Sequence, residues 1–229
     1  MSAVYETAGG GAGDAKAAQA LSPHADTRGE RILAAAYDIL AEKGIAGTRL
    51  LDLSRAGLSA ETLAVRYGDL EGFFCAVIGW AARRAGIGPE MTSVAMREPA
   101  AALERLAVSA YHALFTAEAL TIRRLMLSEG WKSDALAAAY DDAFRAPILA
   151  AVRKIADLAN SKGVAPVEDV ETFAAAFMGW LHADLEAALI GLAGPVDDKA
   201  QARRARALVR RLIAGFALRA KPARAAEAV

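Results

Sequence analysis

GIAGTRLLDLSRAGLSAETLAVRYGDLEGFF, residues 44–74, is the stretch that decides the fold. Leu50, Leu51 and Leu53 are apolar while Asp52 and Ser54 are polar, so a short helix here can bury a leucine face. Ala56-Gly57 interrupts it. Ser59 then opens a second short helix, because a serine hydroxyl accepts a hydrogen bond from an orphan N–H of the first turn. Glu61 and Thr62 fall in that first turn, and Leu63 and Tyr67, four apart, mark its inner face. Two helices joined by so tight a turn have the geometry that seats the second in a DNA major groove.

Toward the N-terminus, Thr27 and Glu30 have capping-box spacing, and Ile32, Leu33, Ala36, Ile39 and Leu40 recur at helical period up to the stop at Lys43-Gly44. Residues 1–26 hold Gly9, Gly10, Gly11 and Gly13 and few large apolar groups, so they are expected to form a disordered tail. Their glycines lack the strand and the Lys-Ser/Thr of a phosphate loop. Toward the C-terminus, Glu71–Arg84 is expected to be a fourth helix with Phe74, Val77, Ile78 and Ala81 inward, ending before Gly86, Gly88 and Pro89. Longer helices are expected from Pro99 to about Thr116, Leu120 to Glu129, Asp134 to Ala159, Val167 to Leu192 and Asp197 to Leu218. Pro147 should kink or interrupt the third of these; Pro166 and Gly194-Pro195 separate the last ones.

The expected fold is therefore all-α, with about nine helices: a disordered tail at 1–26, a helix-turn-helix domain at 27–88, a larger helical domain at 89–219 and a frayed tail at 220–229. Composition agrees, since 55% of the 229 residues are hydrophobic, alanine is abundant and β-branched runs are scarce. Cys75 is the one cysteine, which excludes an internal disulfide; its apolar neighbours suggest a small core residue. Net charge is zero, so no strong polyanion-binding character follows from composition. Residues 28–84 carry one positive charge in excess, a thin footprint for DNA. No run approaches the roughly 20 apolar residues that span a bilayer. With no apolar signal region at the N-terminus, the expected compartment is the cytoplasm.

The order and length of these helices resemble the TetR family of transcriptional regulators. The resemblance is carried by Ile32-Leu33-Ala34-Ala35-Ala36, Ala41-Glu42-Lys43-Gly44, Thr48, Asp52-Leu53, Ala56-Gly57-Leu58-Ser59 and Thr62-Leu63, then distally by Arg124–Glu129 and Phe173–Leu181. It covers roughly residues 27–218 and is strongest in the first helix. It implies a homodimer that binds palindromic double-stranded DNA, with Thr48, Arg49, Ser59, Ala60, Glu61, Thr62 and Arg66 at the interface and a small-molecule effector bound distally. The chain also departs from the family pattern. Ala64 stands for a tyrosine and Leu70 for a lysine, both phosphate contacts in the family; Arg66 stands for a histidine, and Glu61 puts an acid for a glycine on the groove side. One residue is also missing before the Ala56-Gly57 turn. A second reading is thus a TetR-fold dimer without DNA binding, acting on a protein partner or a ligand.

The resemblance places a pocket for an unknown small apolar ligand among residues 100–190, with His112, Phe115, Met126, Trp131, Phe144, Phe177 and His182 as candidates; a ligand-free aromatic core is the other reading. The helix from Val167 is apolar around most of its circumference. Phe173, Trp180, Leu181 and Leu185, with Leu208, Leu212 and Phe216, would form a four-helix dimer interface, or else be buried in one subunit. A pairing of His112 and His182 with Asp184 or Glu186 in a metal or acid–base site is the weakest reading, since no ligand spacing or nucleophile motif supports one. Neither metal nor cofactor nor enzymatic activity is expected.

Overall fold

The helices can be followed in a computed structural model, which describes residues 23–88, 91, 98–163, 167–191 and 197–217. The tail expected before residue 23, the breaks at Pro89, Pro166 and Gly194-Pro195, and the frayed end at 220–229 lie outside the described residues. All regular structure among the described residues is helical: α1 (Pro23–Gly47), α2 (Leu50–Arg55), α3 (Ala60–Tyr67), α4 (Leu70–Arg84), α5 (Pro99–Leu114), α6 (Ala117–Ser128), a short 3-10 turn (Gly130–Lys132), α7 (Asp134–Tyr140), a π turn (Asp141–Arg145), α8 (Ala146–Lys162), α9 (Val170–Leu189) and α10 (Asp198–Ala217). Since α7, the π turn and α8 run on without a break, the expected count of nine is met when they are taken as one.

Several boundaries move for local reasons. Helix α1 starts at Pro23, so Thr27 and Glu30 lie inside it and the last residues of the expected tail are helical. Proline suits a first turn, where its missing N–H is not needed. The stop at Gly44 holds, with φ 73° breaking the helix there. Helix α9 starts at Val170 because the Asp169 carboxylate caps it, accepting from the Thr172 N–H at 2.9 Å. Val167 is instead held by Asn160, which donates to its carbonyl and accepts from its N–H. Pro147 cannot donate into the ladder, and the chain answers with the π turn just before it, where the Ala146 N–H reaches back to the Asp141 carbonyl. Cys75 is half-buried rather than in the core, its Sγ 3.6 Å from the Ala135 carbonyl oxygen.

Two cores share α4. On one side Ile32, Leu33, Ala36 and Leu40 of α1 meet Leu53, Leu58 and Leu63, all buried. Phe74, Val77, Ile78 and Ala81 of α4 are all buried as expected, and α4 also packs against α6 and α7 on its other side. Beyond it α5, α8, α9 and α10 form a closed ring, each packed on the next. Its interior holds Leu106, Ile148, Val152, Phe177, Leu181, Leu185, Leu208 and Leu212. None of the helices described is long and apolar enough to cross a membrane.

Candidate nucleic-acid interface

Arg49 is the N-cap of α2; its backbone is extended and its N–H donates to Asp52 Oδ2 at 3.1 Å. Lys43 Nζ lies 2.6 Å from the other Asp52 oxygen. These two donors hold the Asp52 carboxyl below the usual carboxylate range. The turn after α2 closes with the Gly57 N–H on the Ser54 carbonyl and the Leu58 N–H on the Leu53 carbonyl. That pairing needs a left-handed residue, supplied by Gly57 at φ 96°. Leu58, fully buried, pins the turn to the core.

Ser59 caps α3 as expected: its hydroxyl accepts from the Thr62 N–H at 3.0 Å and donates to the Thr62 hydroxyl at 2.8 Å. The outer face of α3 exposes Ala60, Glu61, Ala64, Val65 and Arg66, while Leu63 is buried. The Arg66 guanidinium lies across Gly29 of α1, where a Cβ would stand 3.7 Å from it. Arg49 is exposed and faces solvent at the start of α2. Thr48 does not belong to this surface. It is 6% exposed, and its hydroxyl donates to the Gly44 carbonyl at 2.7 Å, so it locks the α1 break instead. Behind α3, Tyr67 packs edge-on against Phe73 with centroids 4.9 Å apart. A Cβ on Gly72 would lie 2.1 Å from the Tyr67 carbonyl oxygen, so only glycine lets α4 approach α3 this closely.

The unit is tied to the larger domain by side chains that sequence reasoning did not single out. The Glu129 carboxylate accepts from the N–H groups of Ile45 (3.0 Å) and Ala46 (2.6 Å), the donors freed by the break at Gly44. Four residues on, the Ser133 hydroxyl bonds Glu71 at the start of α4. The Tyr37 hydroxyl donates to the Ala117 carbonyl at 3.3 Å. Ile45, Leu70, Phe74, Glu129 and Leu136 line a crevice of about 300 Å³ at this junction. The helix stop at Gly44 was legible; that Glu129 would fill the donors it frees was not.

The candidate ligand residues are spread over the core and the surface of the larger domain. Phe144 and Phe177 are core residues with 1% and 0% exposure, and His112 is exposed at the end of α5. Phe115 is half-buried and stacks on Tyr111, centroids 5.5 Å apart. Trp131 is 75% exposed. Met126 and Trp131 share a crevice of about 300 Å³, whose other walls are Arg123, Leu127, Gly130, Ala137, Tyr140, Asp141 and Arg145. His182 is half-buried; desolvation, with Arg123 and Arg145 nearby, lowers its pKa to about 4. The Asp184 carboxylate accepts from the Tyr111 hydroxyl at 2.6 Å. Burial and this carboxylate together raise the Tyr111 pKa. Among the described residues no three His, Cys, Asp or Glu side chains gather as a metal site would require.

The expected dimer contacts are likewise redistributed. Phe173, Leu181, Leu185, Leu208 and Leu212 are buried within the single chain, because the α5–α8–α9–α10 ring closes over them. They are therefore unavailable to a second copy. Phe216 is half-buried, edge-on to Phe173 at 5.0 Å. Trp180 remains 40% exposed, in a surface groove of about 580 Å³ with Gly179, Ala183, Arg204, Ala207 and Arg211.

The family model described as the AefR-like transcriptional repressor C-terminal domain matches residues 101–217. No curated protein matches the chain. Among solved structures, a protein assigned to the TetR family of transcriptional regulators from Mesorhizobium loti superposes with a TM-score of 0.69 at 22% identity, covering 83% of this chain and 96% of that one. A TetR transcriptional regulator from Agrobacterium tumefaciens gives 0.63 at 23% identity, covering 85% and 94%. Salmonella enterica GusR gives 0.60 at 20% identity, covering 86% and 98%. At these identities the structures speak for the fold alone.

Proposed function

We propose, since this chain belongs to the TetR family of transcriptional regulators, that it is a homodimeric, ligand-responsive DNA-binding protein acting by binding rather than catalysis. In this reading residues 27–88 form the DNA-binding domain and 89–219 the effector-binding and dimerisation domain, working in the cytoplasm. The observation that carries it is the α2–turn–α3 unit. Ser59 caps α3, and Ala60, Glu61, Ala64, Val65 and Arg66 are exposed on its outer face. Helix α3 would enter the major groove of a palindromic operator. In this reading Arg49 and Arg66 would meet the DNA phosphates or bases, while Ser59 and Thr62 contribute first to the cap. Trp180, Gly179 and Ala183 on α9 suit contact with a second copy, since small residues beside an exposed indole allow close helix approach.

The signal would travel through Glu129–Ser133. Glu129 grips the end of α1 and Ser133 grips α4, so a shift of this turn would move both helices that carry α3. Half-sites are spaced by whole turns of DNA, and a small change in the separation of two α3 helices would break that match.

One observation favours the second reading, a TetR-fold dimer without DNA binding. Val65 is 79% exposed and Leu51 63% exposed, and with Glu61 they give the outer face of the unit an apolar and acidic character that suits a protein partner.

A salt titration of binding to DNA fragments, including the one upstream of the chain's own gene, separates the two. Sequence-selective binding that weakens steeply with salt, and weakens further in Arg49→Ala and Arg66→Ala, is the expected result. Weak binding with no preferred fragment even at low salt would establish the second reading.

A further inference from the structure

We propose that the crevice between the C-terminal half of α6 and the π turn is a binding site for a small organic carboxylate with an apolar body. This rests on the ligand-responsive reading only for its last step, the transmission to DNA. The polar side of the crevice is cationic. Arg123 Nη1 donates to the Tyr140 hydroxyl at 3.1 Å, and Arg123 Nε is buried without a hydrogen-bond partner. Arg145 joins it from the π turn, ion-paired with Asp141. Two guanidiniums face one carboxylate, so the lining keeps one positive charge in excess. A planar guanidinium fork matches a carboxylate with two parallel donors, and a monoanion would balance the excess.

The other side of the crevice is apolar: Met126, Leu127, Gly130, Trp131 and Ala137. Leu127 and Trp131, 64% and 75% exposed, stand as large apolar side chains at its rim. Such surface left in water beside a cationic floor fits a ligand with an acid at one end and a ring or chain at the other. The π turn contributes to the arrangement. Its wider coil carries Asp141 and Arg145 onto the wall that Tyr140, the last residue of α7, also lines.

The site also abuts the junction. Met126, Gly130 and Trp131 flank Glu129, and Ser133 follows two residues after Trp131. An occupant pressing on this turn changes the grip of Glu129 on Ile45 and Ala46.

Isothermal titration calorimetry of the full chain without DNA tests the site, using benzoate and octanoate against the neutral benzamide and octanamide. At least one carboxylate should bind saturably and about tenfold or more tighter than its amide. Arg145→Gln should lower that affinity about tenfold, and Tyr140→Phe, which keeps the ring stacked on Phe144, should lower it by a smaller factor. The proposal is overturned if neither carboxylate binds, if acid and amide bind alike, or if both variants bind as tightly as the parent. Repeating the titration with the protein on its DNA fragment tests the last step separately. Carboxylate binding that leaves the DNA complex unchanged overturns the coupling, and failure to bind any DNA overturns the regulator reading while the calorimetry still decides the site.

Discussion

Glu129 bonds two backbone donors of the helix-turn-helix domain from the far side of the junction. A charged acceptor on two N–H groups is among the stronger hydrogen-bonding arrangements, and these donors have no helical partner because Gly44 breaks α1. Replacing Glu129 by alanine should cost about 1–3 kcal/mol in denaturant unfolding and raise amide exchange at Ile45 and Ala46 specifically. Unchanged exchange there would remove Glu129 from the junction. Gly44→Ala should act in the same direction, since its Cβ would stand 2.5 Å from a Glu129 oxygen and its φ of 73° disfavours any side chain. His182 supplies a pH dependence. Its folded pKa of about 4 lies below the ordinary histidine value of 6.5, so the unfolded chain binds more protons between these values. Stability from this group is therefore present above pH 6.5 and is lost as pH falls toward 4. Burial is the larger cause, and the charges of Arg123 and Arg145 add to it. A urea midpoint measured across this range should fall toward acid in the parent and fall less in His182→Gln.

At the level of elements, the helix-turn-helix hangs on two contacts that leave no slack. Leu58 is 0% exposed in the turn, and its loss to alanine should cost about 2–4 kcal/mol and loosen α2 against α3. Gly72 lets the start of α4 reach the Tyr67 carbonyl, with Asp69 capping α4 through the Gly72 N–H at 2.8 Å. Gly72→Ala inserts a Cβ where backbone oxygen already stands, so α3 must shift. The expected result is a loss of DNA affinity together with about 1–3 kcal/mol of stability. Retained affinity would show that α3 does not need this seating. The leucine spacing, the Ser59 cap and the Gly57 stop made these elements legible in sequence, since each is a local rule. The start of α1 at Pro23 and the π turn before Pro147 were not, because a proline permits a helix start in one context and a ladder defect in another.

For the whole molecule, the ring of α5, α8, α9 and α10 settles which apolar residues remain for association. Leu181, Leu185, Leu208 and Leu212 are consumed inside the chain, and Trp180 stays at the surface. Trp180→Arg should therefore shift sedimentation from dimer toward monomer at micromolar concentration with little loss of fold. The same shift from Leu185→Ala should come only with a large loss of stability, about 2–5 kcal/mol. A parent that sediments as a monomer would refute the dimer.

By itself the sequence determined the helical class, the helix-turn-helix and most helix positions. These depend on period, caps and breakers within a few residues of each other, where backbone chemistry acts directly. The tertiary structure alone decided which face of α9 is buried and that Thr48 turns inward to the Gly44 carbonyl. It alone decided, too, that Glu129 answers the break at Gly44 and that Arg123, Tyr140 and Arg145 share one wall. Each of these joins residues on different helices or turns a side chain into the fold. Periodicity says only that a helix has an apolar side; which neighbour covers it is settled by the packing of the whole chain.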